Sequence, residues 1–412
     1  MWRVLLLLPL LLAIAGAWVA GRWFFANVFA EVGPAAGDSL LWAMRAGPDD
    51  PLTHRAAAGL ARRGFTPAEQ QTAVQQLTEA ARLSPYDYRI WIDLGQTRQQ
   101  IDDTEGAEKA LRRAVALAPH YAAPRWFLGN FLLRKGRNDE AFAELRQAAD
   151  ADPEYRPQFY NAVWQVSGKD VAGLQRAAGD KPEARAGLAS YLLSQQRPDD
   201  ALQIWNALDE TTQKQFAALG ETMLQGFIDA KKYQAALSVA RSLAASTETA
   251  PALGQITNGS FEQPDDKSAF AWQAQTVAQA QVGTDTARQH SGKNSLRVNF
   301  KSTGALDFRN VAQLVAVTPG VRYRLDFYVR TDTLKTAGPP LVQVMDAATL
   351  QVLAGSAPAP AGTSKDWLPT SVTFAARSEG VIVRLARESC GTDTSCPIFG
   401  TVWYDDFNLA RL

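Results

Sequence analysis

The feature that most limits how this chain folds is a 34-residue period in its helical region. From about residue 38 to 245 the sequence is rich in Ala, Leu, Gln, Arg and Glu, with apolar positions recurring at three and four, the pattern of helices with one buried face. Pro51, Pro85, Pro119 and Pro153 stand 34 apart, and so do Leu60, Leu94 and Leu128. Ala73, Ala107 and Ala141 keep the same step, as do Leu77, Leu111 and Leu145, and Ala80, Ala114 and Ala148. Gly95 and Gly129 follow their leucines. Small residues at such positions let two helix axes approach closely, and proline ends a helix because it has no N–H to donate. A fixed step of this length means one helical pair per repeat, each burying its apolar face on the next. The period slips across residues 156–181 and resumes with Leu188, Ala201 and Ala235. The expectation over 38–245 is three regular repeats, one degenerate hairpin and two weaker repeats.

This pattern resembles the tetratricopeptide repeat, in which small residues lie where two helices touch and proline follows the second helix. The resemblance implies an all-α solenoid with a concave surface that docks a peptide or another protein, here an envelope protein. Aromatic residues crowd the array: Tyr86, Tyr88, Trp91, Trp126, Phe127, Tyr155, Phe159, Tyr160 and Trp164. They divide between helix packing and anchoring a partner, and the sequence does not sort them.

After an Ala/Ser/Thr/Pro-rich linker, residues 246–254, the apolar period changes from 3.6 to 2. Tyr323, Leu325, Phe327 and Val329 alternate with Arg322, Arg324, Asp326, Tyr328 and Arg330, and Val381, Val383 and Leu385 alternate in the same way. Turn signals stand at Pro319-Gly320, at Gly338-Pro339-Pro340 and at Glu379-Gly380. Short strands at this spacing, without helices between them, predict an all-β sandwich over 255–412. It opens with Asn258-Gly259-Ser260-Phe261-Glu262 and closes with Trp403-Tyr404-Asp405-Asp406-Phe407.

These bracketing motifs, with Trp272, the run His290-Ser291-Gly292-Lys293-Asn294-Ser295-Leu296, Gln313 and Pro319-Gly320, resemble the galactose-binding-like jelly rolls of carbohydrate-binding modules, in particular the family 4/9/22-like group. The resemblance spans 255–412 in the family's order. It implies a structural calcium where first and last strands meet, with Glu262 and Asp405 as carboxylate ligands and backbone carbonyls near His290 and Lys293 completing the site. The plainer alternative is that these carboxylates satisfy strand ends or pair with arginines. It also implies a glycan site, for which Trp272, Phe308, Tyr328 and Trp367 are candidate platforms and Gln313, Arg324 and Arg330 candidate hydrogen-bonding partners. Trp272 matches a position usually in the core of the family.

From Val4 to Gly21 the chain carries no charge, with Arg3 before it and Arg22 after it, and Trp18, Trp23, Phe24 and Phe25 cluster at its far end. A single membrane-spanning anchor over 1–30 fits this pattern. A cleaved signal peptide competes with it, since Ala15-Gly16-Ala17 has the small-x-small form of a cleavage site. Either way the body is expected to be periplasmic or extracytoplasmic. Cys390 and Cys396 are the only cysteines, and their placement in a Gly/Thr/Ser loop suits a disulfide clip in an oxidising compartment; the alternative is two free thiols.

There are 42 basic and 42 acidic residues, and neither half is polarised: 15 basic and 14 acidic residues follow Gly254, leaving 27 and 28 before it. That balance argues against nucleic acid as a partner. No Gly-x-Ser-x-Gly, phosphate loop or dinucleotide fingerprint occurs. Asp405 and Asp406, adjacent at a strand end, are expected to face opposite sides and so to make a poor acid–base pair. The expected protein is a non-enzymatic multidomain adaptor at the inner membrane. It docks a protein through its repeats and a polysaccharide through its sandwich, in the synthesis or export of an envelope polysaccharide. The alternative is a protein-interaction assembly factor whose sandwich binds no sugar.

Overall fold

The computed structural model describes residues 2–32, 37–64, 66–246, 249–263, 268–387, 390 and 396–412; the side chains of 2–8, 10, 26, 27, 29–32 and 37–41 are left aside. Two compact units result, Met1–Gly179 and Asp180–Leu412.

The first unit is helical: α1 (Trp2–Val32), α2 (Gly37–Ala46), α3 (Pro51–Ala61), α4 (Pro67–Leu83), α5 (Tyr88–Gln100), α6 (Thr104–Leu117), α7 (Ala122–Arg134), α8 (Asn138–Ala151), α9 (Arg156–Val166) and α10 (Val171–Ala178). Local chemistry sets the starts. The Asp50 carboxylate accepts from the N–H groups of Leu52 and Thr53 with Pro51 at the first turn, and Thr66 with Glu69 forms a capping box. The periodic residues are the interior: Ala73, Leu77, Ala80, Leu94, Ala107, Leu111, Leu128, Ala141 and Leu145 are all buried. Each glycine of the period touches the second helix of its own pair. A methyl added at Gly95 would lie 2.6 Å from Leu111 Cγ, and one at Gly129 lies 2.6 Å from Leu145 Cγ. Leu60 departs from the pattern and is exposed. It sits in the last turn of α3, whereas Leu94 and Leu128 lie mid-helix.

The segment over 1–30, expected as an anchor, falls within the helix α1, whose Arg22 Nε donates to the Ala46 carbonyl at 2.8 Å. Among the described residues no helix is long and apolar enough to cross a membrane.

The second unit begins with α11 (Pro182–Ser194), α12 (Pro198–Asn206), α13 (Glu210–Gln215), α14 (Ala217–Asp229) and α15 (Tyr233–Leu243). Ten strands follow: β1 (Gln273–Ala274), β2 (Ala280–Asp285), β3 (Ser295–Ser302), β4 (Val311–Ala316), β5 (Arg322–Thr336), β6 (Pro340–Asp346), β7 (Val352–Gly355), β8 (Leu368–Ala375), β9 (Gly380–Arg387) and β10 (Ile398–Arg411). They form two five-stranded sheets, β1-β4-β9-β6-β7 and β2-β3-β10-β5-β8, antiparallel throughout. The alternating residues close one core between them: Tyr323, Leu325, Phe327 and Val329 from β5 meet Val381, Val383 and Leu385 from β9.

The units do not part at the 246–254 linker but where the 34-residue period slips. The reason is a set of bonds tying α15 to the sandwich. Gln234 Nε2 donates to the Val317 carbonyl at 2.9 Å and Gln234 N–H to the Glu379 carboxylate at 3.3 Å. The Tyr233 ring lies so close to Gly380 that an added methyl would meet its Cδ2 at 2.5 Å. Past the helices, Gly254 N–H donates to the Ala316 carbonyl at 2.8 Å.

Candidate functional site

The two bracketing motifs meet at one end of the β2-β3-β10-β5-β8 sheet, around the loop that enters β3. Phe407 N–H donates to the Gly259 carbonyl at 2.9 Å, which brings Glu262 and Asp405 to the same loop. Glu262 Oε1 accepts from the backbone N–H of Lys293 at 2.7 Å and of Asn294 at 2.9 Å. Asp405 is buried; its Oδ2 accepts from His290 N–H at 2.8 Å and Ser291 N–H at 3.3 Å, and its Oδ1 from Asp406 N–H at 2.8 Å. Burial pushes the Asp405 carboxyl above its ordinary value; the donors pull it back and the neighbouring Asp406 charge adds to the rise.

That donor set does not suit calcium. The expectation places backbone carbonyls near His290 and Lys293, but the groups turned towards the carboxylates are N–H donors, whereas a hard cation needs converging oxygens. Among the described residues no three His, Cys, Asp or Glu side chains are placed to hold a metal ion. The two carboxylates clamp the loop directly.

Asp405 and Asp406 do not face opposite sides as simple alternation predicts. The ladder between β10 and β5 shifts register between Asp405 and Asn408, and Asp406 takes a left-handed conformation, φ 52°. This bulge turns both carboxylates towards the loop. Asp406 Oδ2 bonds His290 Nδ1 at 2.6 Å and its Oδ1 accepts from Ser291 Oγ at 2.8 Å. The serine proton is therefore directed to a carboxylate and not to the imidazole, so this is no serine–histidine nucleophile pair. The His290 ring stacks on Tyr328, centroids 3.5 Å apart and planes 15° from parallel, and meets Trp367 edge-on at 6.0 Å.

The sequence-selected glycan residues separate clearly. Tyr328 and Trp367 come together around His290. Arg330, two residues along β5, lies across from Trp403 of β10, while Arg324 is exposed and paired with Asp326 at 2.9 Å. Phe308 is not a platform: it is fully buried, edge-on to Phe300 at 5.1 Å. Gln313 is not a surface partner either. Its side chain points inward, accepting from Thr257 N–H at 3.1 Å and donating to the Thr257 carbonyl at 2.8 Å, so that it pins the opening segment. Trp272 packs on Phe261 and Phe407. Cys390 and Cys396 are joined by a disulfide, Cα atoms 6.0 Å apart.

Three contributors were missed: the His290 ring, Asp406 and Trp403. The bulge that enlists Asp406 has no local sequence signal. Trp403 is buried, like its neighbours Val402 and Tyr404, but its side chain is on the other face of the strand. Its indole N–H donates to Asp285 at 2.8 Å and the Arg288 guanidinium covers its ring at 5.6 Å. Burial raises the Asp285 carboxyl, but the Trp403 and Ala287 N–H groups and nearby Arg297 outweigh it and hold it below its ordinary value.

In the first unit the aromatic residues sort by burial. Phe159, Tyr160 and Trp164 are core. Tyr88 packs against Tyr121 at 5.4 Å and Trp126 against Tyr155 at 5.0 Å, while Tyr86 and Tyr121 are 79% and 60% exposed. Successive first helices are tied by polar contacts, Arg55 to Asp93 at 2.6 Å and Arg134 to Gln99 at 2.7 Å.

Residues 102–163 match the tetratricopeptide-repeat family model. Among curated proteins none matches the chain in sequence. Of solved structures, MamA 41-end from Desulfovibrio magneticus RS-1 is 18% identical, covering 42% of this chain and 97% of its own, TM-score 0.32. YrrB, described as a TPR protein with an unusual peptide-binding site, is 19% identical, covering 44% and 89%, TM-score 0.33. The CBM22-1 xylan-binding domain of Paenibacillus barcinonensis Xyn10C is 15% identical, covering 37% and 90%, TM-score 0.25. Likenesses this distant place no ligand on this chain.

Proposed function

We propose that this chain is an extracytoplasmic scaffold, held at the inner membrane by its N-terminal apolar helix, that docks an envelope protein on its repeats and a polysaccharide on its sandwich. The repeats supply the interaction scaffold, and the exposed Tyr86 and Tyr121 beside half-buried Tyr88 and Trp126 offer aromatic anchors for a partner. The observation that carries the glycan half is the cluster of His290, Tyr328 and Trp367. Aromatic faces stand beside the polar groups of Asp406 and Ser291, the combination that sugar recognition uses. The placement outside the cytoplasm rests on the apolar segment and the Cys390–Cys396 disulfide.

The test is retention of the full chain on a glycan array, beside Tyr328→Ala and Trp367→Ala variants. Retention lost in both variants, with melting unchanged, supports the reading; no retention of the parent chain overturns it. A purely protein-docking role is favoured by the burial of Phe308 and Gln313, which removes two of the expected sugar contacts. Capture of one envelope protein by the chain and by both variants alike, without any glycan, is its signature.

A further inference from the structure

We infer that the polysaccharide met by the sandwich is an acidic one, a chain bearing sugar carboxylates, lying along β10 on the outer face of the β2-β3-β10-β5-β8 sheet. This rests on the glycan reading above and names the class of sugar. The ladder puts Trp403 directly between Arg297 of β3 and Arg330 of β5, and Phe399 directly between Lys301 of β3 and Lys335 of β5. A cation, an aromatic ring and a cation therefore repeat across three strands. The two rows are four residues apart along β10, about 13 Å at strand spacing. The row between them is polar, Asn299, Thr401 and Asp332.

Two of the acids on this face, Asp285 and Asp326, are paired with arginines, while Asp332 and Asp406 are hydrogen-bonded and keep their charge, fewer than the unpaired cations beside them. Asp285 bonds Trp403 and pairs with Arg297 at 3.7 Å, Asp332 accepts from Thr363 Oγ1 at 2.9 Å, Asp326 pairs with Arg324, and Asp406 holds His290 and Ser291. The cations Lys301, Arg330 and Lys335 have no ion pair or side-chain hydrogen bond among the described residues. Phe399 is 40% exposed between two of them. At the lower end of the strip the ring stack of His290 and Tyr328 offers a platform next to Arg330. The Arg330 fork and two lysines on one face complement carboxylates spaced along a polymer, with the exposed Phe399 ring and the His290–Tyr328 stack taking the apolar sugar faces; Trp403, buried under the Arg288 guanidinium, packs the row and offers no face of its own. On the outer face of the other sheet the Arg384 guanidinium donates to Gln343 at 2.8 Å.

The probe is polygalacturonate, against the same polymer with its carboxylates fully methyl-esterified, bound to the full chain. Binding to the acid form that weakens as salt rises, at least about ten-fold tighter than to the ester, supports the inference. Loss of about ten-fold in Arg330→Gln/Lys335→Gln, with Lys301→Gln milder and melting unchanged in both, locates it on this face. Equal binding to both polymers, lost in Tyr328→Ala alone, overturns the acidic class and leaves the glycan reading standing. Binding to neither polymer while neutral array glycans are retained does the same. No sugar of any kind overturns both. Preference for phosphatidylglycerol vesicles over polygalacturonate also overturns the inference, in favour of a membrane surface.

Discussion

In the repeats, the contacts that decide packing join residues close in sequence. Gly95 meets Leu111 and Ala107, and 34 residues later Gly129 meets Leu145 and Ala141 in the same geometry. In the sandwich, the decisive contacts span the domain: His290 and Ser291 donate to Asp405 across separations of 115 and 114 residues. The repeats are thus a sum of similar local units, and damage to one is felt by its neighbours. The sandwich is closed by its ends, and damage at the closure is felt throughout.

The sharpest way to break this contrast is within the sandwich. Phe308→Ala removes a fully buried ring and is expected to cost about 3–5 kcal/mol in denaturant unfolding of the full chain. Tyr328→Ala, on the surface of the same domain, is expected to stay within about 1 kcal/mol; similar losses for both would refute the division between core and face. Next comes the closure. Asp405→Ala removes a buried acceptor from the part-buried N–H groups of His290, Ser291 and Asp406, a loss of about 1–3 kcal/mol. Hydrogen exchange should then rise across all five strands of that sheet, and protection lost only near β3 would show that the closure is not global.

In the repeats, Gly129→Ala pushes a methyl into Leu145 and is expected to cost about 1–3 kcal/mol. Its exchange signature should stay within α5 to α9, and spreading into the strands would deny the local character of the array. A smaller effect concerns acid. The Asp405 carboxyl is raised above 3.8 in the folded chain, so the folded state binds its proton more tightly than the unfolded one. Its contribution is fully present below 3.8 and is lost as pH rises through the raised value. The stability gap between the parent chain and Asp405→Asn should therefore widen as pH falls from neutral towards 4; a constant gap would contradict a buried, titrating Asp405. The smallest effect is the metal. Because N–H donors already fill Glu262 and Asp405, calcium against chelator should move the melting temperature by less than about 1 °C, and a rise of several degrees would show the loop rearranged around an ion.

Much of this was legible beforehand. The 34-residue step marks the buried faces of the repeats, whereas the parting of the two units near its slip, and not at the 246–254 linker, is seen only in the structure. Alternation in β5 and β9 separates core from surface on sequence alone. What alternation could not show was depth and convergence. Phe308 and Gln313 had suitable chemistry for a sugar site, but both are turned inward. Asp406 falls outside a rule of strand alternation that one left-handed residue suspends, and the His290 ring outside a resemblance that assigned this position a backbone role.

Sequence alone determined the elements and their buried faces, because helix and strand periods, caps and small-residue crossings act over a few residues. Only the tertiary structure decided which surface is chemically equipped. The stack of His290 on Tyr328, the double carboxylate clamp and the cationic rows beside Trp403 and Phe399 come from segments up to 115 residues apart. Their meeting depends on register and on one bulge, and neither leaves a mark in the local pattern.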